Sequence, residues 1–404
     1  MSIAADACGG ASSRVGRGES VSLRVSVLSD VQAFRAIRGQ LEELTQDLCE
    51  PNVFYEPWML EPAMRHLGGD QHLEFVCIHC ADGSRRLCGF FPLVRVPLHE
   101  RLPIQIYSLW QHPQCFRCAP LIRRGFADRC WAILFDWLRD QPPHRRLLRL
   151  ERLPGNGGTT QALEAHLARD GSLCSYVQTH ESAFLRIADS GDEALCQAMS
   201  GKTLAKMRRQ QRRLAEGGEL VFADIDTDSD LEALVDEFLA LEAKGWKGAR
   251  GTAMAKVPGE QAFFREVMTE AFQRDRLSFL TMRLNGRMIA GQSALTALPG
   301  SFGFKIAYDE DFSKYSPGSL LEIEKVRRLH ERDDPVRPKV LWADSCSAPG
   351  NGPASRCWPD RQPVHKYWIA VGHGPMALVV KLLPRLEKAG LIARPQVMQG
   401  GGAA

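Results

Sequence analysis

The chain has 404 residues, 44% hydrophobic and 25% charged, which is enough to bury a large core and to build two domains. Lys and Arg total 51 against 48 Asp and Glu, so the net charge of +3 gives no global reason to expect DNA and makes any basic site a local one. The opening residues lack an apolar segment, and no stretch reaches the roughly 18 continuous apolar residues of a membrane span, so a cytoplasmic location without a membrane span is expected, with residues 1–20 disordered and 389–404 a flexible tail.

From Ser22 the pattern reads as a strand (SLRVSVL), a helix through Leu41 to Leu48, a helix around Trp58 to Leu67 and a strand HLEFVCI. A hairpin at Asp82-Gly83 leads to RRLCGFFPLVRV, followed by IQIYSLW, a helix near Asp128 to Arg139, the strand RLLRLERL and a strand around Ser182 to Ile187. Twelve cysteines without a signal peptide read as reduced thiols. Cys77/Cys80 and Cys115/Cys118 have the spacing of a structural zinc site, but LEFVCIHC alternates like a strand, so small buried thiols are favoured and no metal is expected.

The second half opens on KTLAKMRRQQRRL, which holds six basic residues between Lys202 and Arg213 and no acidic one. Lys202, Lys206, Arg209 and Arg213 share one helical face, while Leu204, Met207, Gln211 and Leu214 line another that can pack. This is either a solvated basic helix or a landing surface for a phosphorylated acceptor, a nucleotide-sugar or tRNA. Next come a strand ELVFADI, a helix from Asp230 to Lys244, a loop carrying Trp246-Lys247-Gly248 and a helix from Gln261 to Arg274. Strands LSFLTMRL and RMIAGQSALTAL form a hairpin around Asn285-Gly286. GFKIAY, a helix opened by Ser316, a strand KVLWAD, a loop from Ser345 to Gln362 and a strand VHKYWIAV complete the order. The two halves repeat one arrangement of a mixed α/β sheet flanked by helices, which predicts a duplicated fold with a ligand site in one copy.

Ser316-Pro317-Gly318-Ser319 points to that copy. Ser316 is a suitable N-cap, Pro317 suits the first helical position, and Gly318 lets a ligand approach the backbone. The amides of Gly318, Ser319 and Leu320 are then expected to be unpaired donors for a phosphate. The first half has Gln111-His112-Pro113-Gln114-Cys115 in the same place, with no glycine.

Ser200-Gly201-Lys202 with the basic helix, Leu241-Glu242 with Trp246-Lys247-Gly248 and Gly251-Thr252, KIAYDE from Lys305, Ser316-Pro317-Gly318, and Asp344-Ser345-Cys346 with Trp358 together resemble the GNAT acyltransferase superfamily. The closer similarity is to its CelD-like branch, associated with cellulose and exopolysaccharide biosynthesis and related to the double-GNAT Fem peptidyltransferases. The resemblance covers about Ser22 to Leu386 and implies two tandem GNAT-like domains, a degenerate one over 21–189 and a catalytic one over 190–388. It implies transfer of an acyl group, foremost acetyl, from acyl-CoA to an amine or hydroxyl of a sugar-containing or peptide-like acceptor, by direct attack without an acyl-enzyme. An aminoacyl-tRNA donor of the Fem type and a non-catalytic binding protein of a polysaccharide assembly are the alternative readings.

Direct transfer requires a base, a donor to the developing oxyanion and an acid for the leaving thiolate. The resemblance offers Glu242 and Asp344 as bases and Tyr308 and Tyr315 as acids, with Lys314, Ser316, Gly318, Ser319 and Leu320 on the donor's pyrophosphate. The family's loop normally carries Arg or Gln, two residues, Gly, one residue, then Gly or Ala; here Lys314 stands four positions before Gly318 and no second glycine follows. Trp246, Lys247, Lys202, Lys206, Arg209 and Trp358 are the candidate acceptor contacts. The structural alternatives are a solvated Glu242, Asp344 capping a turn with Ser345, Tyr308 as a strand aromatic and Trp246 as core. Lys305 alternates with Phe304 and Ile306, which places it on the opposite face, either solvated at an edge or aimed as a cation at substrate. Neither Ser345 nor Cys346 is expected to act as a nucleophile: Cys346 has no histidine partner nearby in sequence, and a Cys/His pair would need His365 or His373 to approach in space.

Overall fold

A computed structural model describes residues 22–69, 71–98, 104–188, 190–331, 339–347, 350, 352–372 and 380–389. The expected disordered start, all of the expected tail but residue 389, and His373 lie outside the described residues. The strands are β1 (Leu23–Leu28), β2 (Leu73–Cys80), β3 (Leu87–Pro97), β4 (Gln105–Leu109), β5 (Leu121–Ile122), β6 (Leu147–Pro154), β7 (Leu173–Arg186), β8 (Leu220–Asp224), β9 (Leu277–Leu284), β10 (Arg287–Ala297), β11 (Gly300–Tyr308), β12 (Trp342–Asp344) and β13 (Asp360–Ala370). They form one mixed sheet in the order β1-β2-β3-β4-β6-β13-β7-β12-β11-β10-β9-β8, with β5 on β3.

Local chemistry accounts for much of this. Asn285 and Gly286 both adopt positive φ, 50° and 80°, which joins β9 to β10 with a twist that suits a tight hairpin. Each half contains one parallel pair, and parallel strands need a crossover. In the first half Tyr107 and Ser108 of β4 pair with Leu148 and Arg149 of β6, with the helix Ala127–Arg139 between them in sequence. In the second, Gly300, Ser301 and Phe302 of β11 pair with Trp342, Ala343 and Asp344 of β12, across the helix Pro317–Glu331.

The halves exchange their last strands. β13, from the second half, pairs with β6 of the first, while β7, from the first half, pairs with β12 of the second. β7 and β13 also pair with each other, antiparallel, from Leu173↔Ala370 to Asp360↔Phe184. Phe116, in the loop after β4, contributes to an aromatic chain across the join: Phe54 to Phe116 at 5.5 Å, Phe116 to Phe304 at 6.0 Å, and Phe304 to Phe264 at 6.1 Å.

Several elements differ from expectation. The helix Gly158–Asp170 was not predicted, because GTTQALEAHLARD has no clean apolar stripe; it buries Thr159, Thr160 and His166 beside Leu163 and Leu167. β7 begins nine residues before the expected Ser182, at Leu173. Trp246–Ala249 is a short helix rather than a loop, and Pro353–Cys357 forms a helix inside the Pro/Gly-rich connection.

Candidate active site

β11 and β12 run together for three residue pairs and then part. β11 continues to Tyr308, while the chain after Asp344 turns away at Cys346, which takes φ 53°. Gly303 sits at the fork: a Cβ there would lie 2.6 Å from the Ser345 carbonyl oxygen, so the close approach requires glycine. Beyond the fork is a cleft walled by Phe304, Lys305 and Ile306 on one side and Ser345, Cys346 and Ser347 on the other. Glu322 and Lys325 from the helix Pro317–Glu331, together with Ser293, Phe116 and Trp358, complete it.

Lys305 is 4% exposed. A bulge in the β10/β11 ladder pairs Ser293 with Lys305 and Ala294 with Gly303, leaving Phe304 without a partner. That extra residue breaks the expected alternation, and the Lys305 ammonium lies over the rings of both Phe304 and Phe116, 5.7 Å from each centroid. Burial pushes its pKa down to about 8, with Lys247 adding to the effect and Glu242 and Glu260 opposing it. Lys325 holds its ammonium over the Trp358 ring at 5.2 Å. Among the described residues neither lysine has a hydrogen bond or an ion pair.

Glu322 is the acid of this cleft. It is 3% exposed, and burial holds its carboxyl above the ordinary range, with Lys325 and the Trp358 indole pulling the other way. Trp358 Nε1 and Glu322 Oε1 nevertheless complete no hydrogen bond, and neither does the buried Ser293 hydroxyl.

A second cleft shares Ile306 and Pro353 with the first and is lined by Glu242, Trp246, Lys247, Tyr308 and Glu310. Glu242 is therefore not a solvated helix residue. Its carboxylate takes the Lys247 ammonium at 2.8 Å and the Met254 amide at 2.9 Å, so both oxygens are engaged. Trp246 donates its amide to Glu310 at 2.7 Å and carries the Arg250 guanidinium over its ring at 5.0 Å. Glu260 is buried beside this pair and accepts from Gln114 of the first half at 2.9 Å; burial raises its carboxyl, with Lys305 opposing.

Two expectations are corrected. Asp344 does not emerge at an open sheet end: it is 3% exposed and lines neither cleft. Arg117, from the first half, donates to both its oxygens at 2.7 Å, and Oδ1 also accepts from Ser182 at 3.0 Å and the Cys346 amide at 2.8 Å. A buried carboxylate held in a bidentate ion pair and by two further donors is a structural anchor rather than a base open to substrate. The phosphate loop is also not an open row of donors. Ser316 takes a left-handed conformation, φ 56° and ψ 53°, and its carbonyl accepts the Ser319 and Leu320 amides at 3.0 and 3.1 Å. Gly318 is buried, and a Cβ there would lie 3.2 Å from Pro353.

The other candidates fall as follows. Lys314 lies over the Tyr315 ring at 4.9 Å, and its carbonyl accepts from Gln210 at 2.8 Å, which docks the basic helix Gly201–Ala215 on this loop. Leu204, Met207 and Leu214 are its buried stripe, while Lys202, Lys206 and Arg209 are exposed and line neither cleft. Burial and the neighbouring Asp344 push the Cys346 thiol well up, and His365 is held by Tyr176 and Tyr367 instead. Glu322, Lys325 and Ser293 were missed by sequence reading. The available signal was the helix PGSLLEIEKVRRLH itself: Leu320, Leu321, Ile323 and Val326 spread round its circumference and leave no clean polar face, as in a helix covered on several sides.

Residues 201–336 match the acetyltransferase (GNAT) domain family, and the chain has the mixed α/β fold of these acyltransferases. A crystal structure of FemX superposes with a TM-score of 0.55 at 9% identity, covering 88% of this chain and 100% of that one. A conserved protein of unknown function from Bacteroides thetaiotaomicron VPI-5482 superposes at 0.50 with 12% identity, covering 86% and 100%. No curated protein matches the sequence. Among the described residues no helix is long and apolar enough to cross a membrane.

Proposed function

We propose that the protein is an acyltransferase that moves an acyl group, foremost acetyl, from acyl-CoA to an amine or hydroxyl in the cleft where β11 and β12 part. The observation that carries this reading is the buried Glu322 carboxylate, with Oε1 unpaired, in the same cleft as the unpaired Ser293 hydroxyl. Phe304, Ile306, Pro353 and Ala354 give the cleft an apolar wall that fits an uncharged acyl arm. Glu322 takes the proton from the attacking group, the Ser293 hydroxyl donates to the carbonyl oxygen as it gains charge, and collapse of the adduct breaks the C–S bond and releases CoA thiolate, to which Glu322 returns the proton. The donor's contribution is an activated thioester. Its pyrophosphate does not find the expected row of amides, so Lys314 and the basic helix docked on its loop are the groups available to it.

The acceptor is a sugar-containing or peptide-like molecule of the cytoplasm, in exopolysaccharide or envelope biosynthesis, as the CelD-like similarity implies. A second reading keeps the cleft and takes aminoacyl-tRNA as donor. It is favoured by the exposed cations of Gly201–Ala215, which make no ion pair with any described residue, and by the likeness to FemX. Calorimetric titration with acetyl-CoA, CoA and a charged tRNA decides between them. Acetyl-CoA at a hundred times its Kd is expected to add about 2.7 kcal/mol of stability. Binding of the charged tRNA without acetyl-CoA would favour the second reading, and binding of neither would reject acyl transfer.

A further inference from the structure

The cleft contains more positive charge than the transfer step uses. Glu322 and Ser293 suffice to take a proton and meet an oxyanion, yet Lys305 and Lys325 also line the cleft with no carboxylate at ion-pair distance. Their compensation is a set of ring faces: Phe116 and Phe304 for Lys305, Trp358 for Lys325. Cation–ring contacts contribute about 0.5–2 kcal/mol, whereas an uncompensated buried ion costs several kcal/mol. The nearby carboxylates close the gap only in part: Glu242 is taken by Lys247 and the Met254 amide, and Glu260, which accepts from the neutral Gln114 amide and keeps its charge, attracts Lys305 without reaching ion-pair distance. Two buried ammoniums, an unpaired hydroxyl and one carboxylate leave the cleft with a net positive charge.

We propose that the acceptor carries its own anionic group, a carboxylate or a phosphate, and that Lys305 and Lys325 bind it inside the cleft while Glu322 faces the nucleophile. This rests on the acyl-transfer reading above. It assigns the anion to the acceptor because the reacting end of a thioester is uncharged and the phosphates of CoA lie a full pantetheine arm away. Charge-assisted contacts of this kind orient the attacking group as well as bind it.

The full chain is labelled with trace acetic anhydride, and modification of each lysine is read by mass spectrometry in chloride, inorganic phosphate or succinate at equal ionic strength. The expected result is protection of Lys305 and Lys325 together, about tenfold at ten times the anion's Kd, with the exposed Lys388, at the end of the helix Leu383–Lys388, unchanged. Protection by phosphate alone identifies a phosphorylated acceptor, and protection by succinate alone a carboxylated one. Lys305→Met keeps the aliphatic stem and removes a buried charge, so it is expected to fold and to expose Lys325 to the reagent in all three salts. Labelling that is the same in all three salts, or Lys325 protection unchanged in a folded Lys305→Met variant, overturns the proposal. Titration with acetyl-CoA reads the underlying acyl-transfer claim separately: anion protection without acetyl-CoA binding would reject that claim while leaving the anion site, and acetyl-CoA binding without protection would reject the anion site alone.

Discussion

Near their parallel pairs the two halves treat buried charge in opposite ways. In the sheet of the first half Arg149 of β6 and Lys366 of β13, the strand supplied by the second half, stack on the Trp368 ring at 5.4 and 5.2 Å, and both pair with Glu151, at 3.3 and 3.0 Å. In the second half Lys305 and Lys325 also stack on rings, but no carboxylate pairs with them. The first half carries its counter-ion in the chain. In the second, Glu242 and Glu260 act on Lys305 from beyond ion-pair distance, Glu322 keeps an unpaired oxygen, and the place of a paired anion is the one proposed for a ligand. Cations on aromatic rings are thus a packing solution used in both halves, and the paired carboxylate is what distinguishes them.

The largest effect is expected where the halves are tied together. Arg117→Ala leaves Asp344 buried and unpaired and should cost about 3–5 kcal/mol in denaturant unfolding. Arg117→Met combined with Asp344→Leu should recover most of that loss, since apolar replacement of a whole buried pair is often neutral. Little loss in Arg117→Ala would mean that this join does not hold the halves.

The next prediction separates the acids. Glu322→Gln should lower kcat/KM by about a hundredfold to ten-thousandfold with an unchanged or raised melting temperature, because it removes a base and a buried charge. Glu151→Gln should do the reverse, lowering stability by removing the carboxylate that Arg149 and Lys366 share and sparing turnover. Equal effects of the two variants on activity would abolish the distinction between the halves.

pH gives a third test. The Glu322 base requires its carboxylate, so activity should rise through a pKa above the ordinary carboxylate range and fall as Lys305 loses its proton near about 8. Lys325 and Trp358 face the first group; Lys247, Glu242 and Glu260 act on the second. In the first half Glu50 accepts the Thr159 amide at the start of its helix, and burial raises its pKa from 4.5 to about 7, opposed by the Thr159 hydrogen bonds and then by Arg117. The folded state holds that proton more tightly than the unfolded chain, so its contribution is complete below 4.5 and is lost as pH rises through about 7. Glu50→Gln should flatten this part of the stability curve, and an unchanged curve would show that Glu50 does not titrate there.

The smallest expected effect is that of Lys206→Glu with Arg209→Glu. Both side chains are exposed, so stability should change by less than about 0.5 kcal/mol, while donor affinity at low salt falls and its salt dependence weakens. Identical salt curves would leave the basic helix merely solvated.

Much of the element order was legible because it is encoded locally. The Asn285-Gly286 hairpin, the packed stripe of Leu204, Met207 and Leu214, and the helix after Ser316 all follow from short-range pattern. The charge partners were not, because they are distant in sequence. Arg117 meets Asp344 across 227 positions, and Gln114 meets Glu260 across 146. Glu322 reads as an ordinary solvent-facing helix glutamate until Trp358 and the Pro353–Cys357 helix cover it. Lys305 was recognised as a cation of interest, but its direction depended on a bulge that no alternation rule shows.

The exchange of β7 and β13 has a consequence for how the chain can come apart. Each half borrows the strand that finishes its sheet, so neither has a closed set of backbone partners on its own. Cutting between β7 and the helix that starts at Gly191 should yield two fragments that remain unfolded alone and recover structure on mixing. Such complementation would make the duplicated molecule resemble a strand-swapped dimer whose subunits share one chain.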